Sequence, residues 1–190
     1  HSGMLSLAKK LDTNPVGYTK IDHPVQQTIF KQLSKLIGHD YFSIGIDGCS
    51  APTPFLSLQE IANLFQKLGS GKYQELTEAY TAMAKHPYLV GGKNRFDTEF
   101  NSALKGRGIC KAGGEAIRGI VLKTEKHGLI GIAIKILDGN QRAIDVATMA
   151  TLKHLNLLKE KENKKLLHYK VKQLYNHRKS HIGGIKAEIK

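Results

Sequence analysis

The sequence predicts a mixed α/β (α+β) fold, with a partly antiparallel sheet flanked by helices, in one domain over residues 1–190. Amphipathic helical stretches alternate with short apolar strands along the chain. The segments 116–123 and 129–137 predict a hairpin, joined by the connection Thr124–Gly128. Hydrophobic residues make up 41% of the chain and charged residues 24%, a balance typical of a globular domain with an apolar core.

Two helices are predicted before residue 40. In the first, over residues 3–11, apolar side chains recur every three or four positions. The second begins at Pro24, whose fixed φ suits the first helical turn, and ends at Gly38. A strand over residues 41–46 follows. Residues 47–55 are predicted to form a loop because they contain two prolines and a glycine.

The middle of the chain contains three further predicted helices. Ser57 is the N-cap of the first, and Glu60 follows three residues later, as a capping box requires. Residues 74–84 form the second helix, and a glycine-rich turn separates it from a short helix over 97–104. A strand over 108–111 then precedes the hairpin.

The C-terminal region completes the predicted fold. Isoleucines occupy alternate positions over 130–136, and the small residues between them suit packing of that face against a helix. We predict a long helix over 142–158. Residues 159–190 are expected to be a basic helical segment of the same domain, with a helix from 163 to about 177 and an edge strand over 182–189.

The chain is strongly basic, with 29 Lys and Arg residues against 16 Asp and Glu residues and a formal net charge of +13. The last 40 positions hold 11 basic and 3 acidic residues. A basic face can bind phosphates. However, 24 of the basic residues are lysines, which lack the bidentate fork of arginine. We therefore favour a solvated lysine-rich face and expect no nucleic-acid partner.

The composition also bears on the compartment and on cofactors. No apolar run is long enough to span a bilayer, and no signal-peptide pattern occurs. Because no apolar run could span a bilayer, we expect no membrane partner. The two cysteines, Cys49 and Cys110, do not form a disulfide framework, so we expect a cytoplasmic protein. The sequence contains neither the histidine and cysteine spacing of a complete metal site nor a phosphate-binding glycine loop.

The segment Gly45–Pro52 places polar side chains just after a predicted strand, where loop residues face ligands. Cys49 can act there as a nucleophile or a metal ligand, and Asp47 can orient a neighbour. The alternative is a buried loop cysteine beside a turn aspartate.

The segment Lys111–Gly113 places a lysine on a strand before small residues, which leaves open space beside the ammonium group. It is a loose match to the Lys-Thr-Gly strand of penicillin-recognising serine enzymes, and the alternative is an exposed lysine before a turn. Those enzymes also need Ser-x-x-Lys. Such pairs begin at Ser6 and Ser102, about as many as the composition produces by chance.

Several short motifs follow one another in a fixed order. They are His1–Leu5, Gly17–Tyr18, His23–Gln26, Gly45–Pro52, Met83–Pro87, Val90–Gly92, Arg95–Thr98, Lys111–Glu115, Lys135–Gly139 and Arg142–Ala143. In this order they resemble the L-asparaginase II family of the rhizobial type, over about residues 2–155.

The resemblance implies hydrolysis of L-asparagine to L-aspartate and ammonia on a fold like that of serine β-lactamases and penicillin-binding proteins. It makes Lys111 the catalytic lysine, which eases deprotonation of a serine or helps to bind the substrate. Substrate binding is assigned to Asp47, Ser50 and Gly113. The resemblance also implies a zinc ion with Cys49 as a ligand, supported by Asp47. We further expect a homo-oligomer, namely a dimer.

In the family, a Cys-x-x-Lys zinc segment comes immediately before the position of His1, and the catalytic serines come earlier. We therefore expect the resemblance to cover only the C-terminal three-fifths of such an enzyme. With the N-terminal part absent, the chain would be inactive unless the missing segment is supplied. The alternative is a non-catalytic remnant that acts as a basic binding or scaffold module. Zinc content and asparagine turnover favour the enzyme, and salt-dependent retention of nucleic acid favours the alternative.

Overall fold

The computed structural model describes residues 1–189. Contacts divide the chain into two compact units, 1–60 and 61–190, where the sequence predicts a single domain. The chain is a mixture of helices and small antiparallel sheets flanked by helices, which confirms the predicted α/β class. Among residues 1–189, no helix is both long and apolar enough to cross a membrane.

The first unit consists of two helices and a hairpin: α1 (Ser2–Lys10), α2 (Pro24–Ile37), β1 (Ile44–Ile46) and β2 (Pro52–Pro54). Both predicted helices are confirmed. At the start of α2, the His23 ring accepts a hydrogen bond from the Val25 N–H at 3.2 Å. At its end, Gly38 adopts a φ of +94°, a left-handed conformation that glycine tolerates and that stops the helix.

Strand β2 lies inside segment 47–55, so the prediction of a loop throughout that segment is wrong. Its two prolines lack N–H donors, but an edge strand needs donors on one side only. Thr53, between them, is paired with Gly45. The predicted strand over 41–46 is correspondingly shorter, because only residues 44–46 are paired.

Within residues 61–189, a three-stranded antiparallel sheet in the order β3-β4-β5 is flanked by helices, and a separate hairpin follows. The strands are β3 (Gly108–Gly113), β4 (Ile117–Thr124), β5 (Gly128–Lys135), β6 (Lys172–Tyr175) and β7 (His181–Ile185). The helices are α3 (Leu58–Leu68), which begins before residue 61, α4 (Gln74–Lys85), α5 (Pro87–Gly91), α6 (Phe96–Leu104), α7 (Ile144–His154) and α8 (Glu160–Lys165).

The predicted capping box begins α3. The Ser57 N–H donates to Glu60 Oε2 at 2.7 Å, and the Glu60 N–H donates to Ser57 Oγ at 3.2 Å. Two of the first backbone donors at this helix start are thereby satisfied by side chains.

Helix α3 packs against one face of the sheet, as the small residues between the isoleucines predict. A Cβ atom on Gly131 would overlap with the carbonyl oxygen of Ala62, and one on Gly119 would overlap with the Phe65 ring. Glycine is therefore needed at both positions for close approach of the helix.

The core of the second unit lies on the other face of the sheet. Isoleucines of the hairpin pack there against α6 and α7, and Ile120 is paired with Ile132 across the predicted hairpin. The fully buried side chains of this core are Phe100, Cys110, Ile120, Leu122, Met149, Leu152 and Leu166. Their burial ties β3 and β4 to both helices.

The C-terminal region departs from the prediction. Of the helix expected from 163 to about 177, only residues 163–165 are α-helical, at the end of α8, and a 3₁₀ turn over 167–170 follows. Residues 172–185 form the β6–β7 hairpin, in which β7 is shorter than the strand expected over 182–189. Its turn is closed by Asn176 Oδ1, which accepts the Ser180 N–H at 2.9 Å. Pairing between these strands satisfies the backbone groups and outweighs the helical preference of the lysines. Helix α7 also ends four residues earlier than expected.

Candidate active site

A cavity of about 590 Å³ opens beside strand β3 in the second unit. Its volume lies within the range of roughly 300–1,000 Å³ that is typical of small-molecule sites. The charged side chains that line it are Arg95, Asp97, Lys111, Arg118, Asp145 and Lys172. The structure thus places the predicted catalytic lysine in a polar cavity.

Lys111 lies on β3, an end strand of its sheet, and 48% of its side chain is exposed. Its Nζ atom donates to the Ala112 carbonyl oxygen at 2.6 Å and lies 4.0 Å from Asp97 Oδ2. The small side chain of Ala112 lines the cavity beside it. The amine is therefore both held in place and accessible.

Asp97 connects helix α6 to the unpaired edge of β3. Its Oδ2 atom accepts the Ala112 N–H at 2.7 Å, and its Oδ1 atom accepts the Cys110 S–H at 3.4 Å. One turn further along α6, Asn101 Oδ1 accepts the Cys110 N–H at 2.7 Å. These side chains satisfy donors that a further strand would otherwise satisfy, and they set the position of Lys111.

Arg118 balances the buried charge of Asp97. Its side chain is only 3% exposed, and its guanidinium donates to Asp145 Oδ1 at 2.8 Å and to Thr148 Oγ1 at 3.0 Å. The guanidinium carbon also lies 4.1 Å from the centroid of the Phe96 ring. Arg118 Nε makes no hydrogen bond but lies 3.3 Å from Asp97 Oδ1, so this contact is an ion pair without hydrogen-bond geometry.

The result is a chain of four alternating charges: Lys111, Asp97, Arg118 and Asp145. The inner two are almost completely buried, whereas the outer two are partly exposed. Buried charges are stable only when they are paired. Asp97 and Arg118 therefore stabilise the fold, whereas Lys111 and Asp145 are accessible to a ligand.

Burial also raises the pKa of two groups at this site, the Cys110 thiol and the Tyr169 hydroxyl. It raises the pKa of the Cys110 thiol well above its usual value, and the nearby Asp97 charge raises it further. Cys110 therefore stays protonated and is not a nucleophile. Burial, followed by a hydrogen bond to Glu99, likewise raises the pKa of Tyr169, which lines the cavity and keeps its hydroxyl proton.

The other predicted site residues in the first unit form a turn. The Ser50 N–H donates to the Asp47 carbonyl oxygen at 2.8 Å, and Ser50 adopts a φ of +69°. The Cys49 S–H donates to Asp47 Oδ2 at 3.3 Å. Cys49 is exposed, so its interpretation as a buried loop cysteine is wrong. The structure brings these three residues together within one unit, while Lys111 and Gly113 belong to the other unit.

The Asp47–Cys49 turn offers two donors of types that zinc accepts, a thiolate and a carboxylate. Among residues 1–189, no group of three or more His, Cys, Asp or Glu side chains is arranged to hold a metal ion. Protein zinc sites use three or four protein ligands. The turn therefore does not form a complete site, and we assign no chemical step to zinc.

Two further residues that the sequence motifs contain, Gly113 and Ser102, make local contacts outside the cavity. The Gly113 carbonyl oxygen accepts a hydrogen bond from Gln141 Nε2 at 3.1 Å, and a Cβ atom on Gly113 would lie 2.7 Å from Ile117. The Ser102 hydroxyl donates to the Thr98 carbonyl oxygen at 2.7 Å within its own helix. Neither residue is among those that line the cavity.

The local sequence pattern does not indicate Asp97, Arg118 or Asp145 as site residues. A signal was present at Arg118, which lies among the apolar residues of segment 116–122, because a charge in such a segment must find a partner. Its partner Asp97 lies in the quoted Arg95–Thr98 motif. Nothing in the local pattern distinguishes Asp145 from other helical aspartates.

Comparison with known proteins identifies the family of the chain. None of the curated proteins matches the chain. The family model of L-asparaginase II matches residues 1–187. The match continues through the basic C-terminal segment, beyond the predicted resemblance over 2–155, and it does not support a resemblance restricted to the C-terminal three-fifths. Since it takes in nearly all 190 residues, the chain belongs to the L-asparaginase II family.

Proposed function

We propose that the chain is an asparaginase-type amidohydrolase, which converts L-asparagine and water to L-aspartate and ammonia. The observation that carries this proposal is the position of Lys111, whose amine is exposed to a cavity of about 590 Å³ while its neighbours Asp97 and Arg118 are buried. Family membership supplies the reaction class.

Hydrolysis of an amide requires a group that moves protons as the nucleophile attacks and the nitrogen leaves. A lysine amine can take a proton from a serine hydroxyl, or its ammonium form can stabilise a developing negative charge. The contact between Lys111 and Asp97 supports a role as the cationic partner in substrate binding or charge stabilisation. In either role, loss of the amine should remove most of the activity.

Several finer features belong to the same proposal. A lysine on an end strand of an antiparallel sheet, with helices on both faces, supports a serine β-lactamase-like fold.

Asp47, Ser50 and Gly113 are proposed substrate contacts, and Cys49 is a proposed zinc ligand. Ile46 at the end of β1 and Phe55 immediately after β2, each 69% exposed, supply apolar surface for a homodimer. A cytoplasmic location fits the two free cysteines.

The decisive experiment measures ammonia release from L-asparagine by the 190-residue chain and by its Lys111→Ala variant. We expect at least about a hundredfold loss of kcat/KM in the variant, since positioned acid–base groups contribute roughly 10²- to 10⁴-fold and charge-stabilising groups roughly 10²- to 10³-fold. Lys123→Ala is the matched control, because Lys123 is an exposed lysine on the neighbouring strand outside the cavity. Variants at Ser6, Cys49 and Ser50 would then locate the nucleophile.

Equal activity of the Lys111→Ala and Lys123→Ala variants would contradict the assigned role of Lys111. Ammonia release that depends on an added polypeptide carrying the family's serine and lysine segment would show that the chain supplies part of the site. Absence of ammonia release under both conditions would exclude the proposed activity.

A further inference from the structure

Asp145 ends the chain of four charges that begins at Lys111. Its Oδ1 atom accepts a hydrogen bond from Arg118 Nη2, whereas its Oδ2 atom has no hydrogen-bond partner among residues 1–189. The Asp145 side chain is 27% exposed and lines the cavity. One carboxylate oxygen is therefore available to a positively charged ligand group.

Two cations that line the same cavity, Arg95 and Lys172, lack a charged partner among residues 1–189. Arg95 and Lys172 are both exposed, and neither forms an ion pair with any residue in the described range 1–189. Arg95 immediately precedes α6, and Lys172 begins strand β6. They are thus available to a negatively charged ligand group.

The buried members of the cavity wall cannot serve a ligand in this way. Arg118 already contacts Asp145, Thr148 and Phe96, and Asp97 accepts from Ala112 and Cys110. A ligand that recruited either group would leave a buried charge unpaired, which is costly. Recognition by charge must therefore come from the exposed groups.

A cavity lined by an available carboxylate oxygen and by two cations without an ion-pair partner suits a zwitterion. We propose that Asp145 Oδ2 accepts the α-ammonium group of a free α-amino acid, whose α-carboxylate faces Arg95 and Lys172. This inference rests on the proposed function, in which that amino acid is L-asparagine or its product L-aspartate. Asp145 is then the residue that distinguishes an α-amino acid from the same acid without its amino group.

The test compares binding of L-aspartate and succinate, which differ by the α-ammonium group, in isothermal titration calorimetry at one pH and ionic strength. A hydrogen bond to a charged group is worth enough for the unchanged chain to bind L-aspartate at least about tenfold more tightly. Asp145→Asn should bring the two dissociation constants close together by weakening L-aspartate. The asparagine oxygen can still accept from Arg118, so the local packing is kept.

Asp138→Asn is the matched control, because Asp138 forms an exposed ion pair with Arg142 and does not line the cavity. It should keep the preference for L-aspartate. The inference is overturned if Asp145→Asn keeps that preference, or if the unchanged chain binds the two compounds equally or binds neither.

Ammonia release from L-asparagine separates this inference from the proposed function. Release by the unchanged chain, together with an unaltered preference in Asp145→Asn, would overturn the role of Asp145 alone. The expected binding preference without ammonia release under any condition would overturn the asparaginase activity alone.

Discussion

At the scale of single residues, Asp97 contacts three parts of the candidate site, which its position in the sequence does not indicate. It joins α6 to the edge of β3 through Ala112, and it faces Arg118 inside the core. With only 6% of its side chain exposed, its charge is tolerable because Arg118 lies beside it. The same carboxylate lies 4.0 Å from the amine of Lys111, the proposed catalytic residue.

Asp97→Ala is expected to lower the free energy of unfolding by about 3–5 kcal/mol, the usual cost of breaking a buried ion pair, because the buried Arg118 keeps only Asp145 as an ionic partner and the Ala112 N–H loses its acceptor. Asp97→Asn should cost less, since its amide oxygen can still accept the Ala112 N–H. Chemical denaturation of both variants measures these costs. Glu125→Ala is the control, because it removes an exposed ion pair with Lys159 and should leave stability nearly unchanged. Similar stability of Asp97→Ala and Glu125→Ala would show that the buried pair does not stabilise β3.

At the scale of elements, the two faces of the β3–β4–β5 sheet differ in the size of the side chains that they present to the helices. One face presents isoleucines to α6 and α7, and the other presents Gly119 and Gly131 to α3. Dense packing leaves no space for even one additional methyl group between helix and strand. The sheet that carries Lys111 is therefore held on both sides.

Gly131→Ala is expected to lower the melting temperature, because the added methyl group would meet the backbone oxygen of Ala62, which cannot move aside as a side chain does. Overpacking of this kind costs about 1–3 kcal/mol. Thermal unfolding followed by circular dichroism provides the measurement. Gly3→Ala adds the same methyl group in open space on helix α1 and should be neutral or slightly stabilising. Equal melting temperatures for the two variants would mean that α3 does not pack closely on β5.

At the scale of the whole molecule, the net charge of +13 bears on the choice between an enzyme and a basic binding module. The basic C-terminal segment forms α8 and the β6–β7 hairpin and lies within the family match. One of its lysines, Lys172, lines the candidate active-site cavity. Part of the basic charge therefore lies at the candidate site.

We accordingly expect only weak, salt-sensitive binding of nucleic acid. Exposed lysines attract phosphates mainly through release of counterions, and this attraction falls steeply as salt increases. Fluorescence anisotropy of a labelled DNA duplex should show binding that is lost at an ionic strength of about 0.15 M. Retention of the duplex at that ionic strength would instead favour the basic binding module.

Local signals predicted much of the fold. Pro24 and Gly38 mark the ends of α2, Ser57 and Glu60 form the expected capping box, and alternating isoleucines predicted the hairpin. Each signal involves residues that are close in the sequence, so backbone geometry and hydrogen-bond capacity are enough to interpret it. The ordered motifs likewise identified the family, which the match confirms.

The sequence by itself therefore determined the α/β class, both ends of α2, the start of α3 and the β4–β5 hairpin, and it predicted Lys111 as a catalytic residue. Only the tertiary structure decided that Asp97, Arg118 and Asp145 meet at the Lys111 cavity, and that residues 172–185 form strands instead of a helix. These outcomes depend on contacts between segments distant in the sequence. A buried charge must find its partner and a backbone its hydrogen bonds wherever packing brings them, and periodicity does not encode that choice.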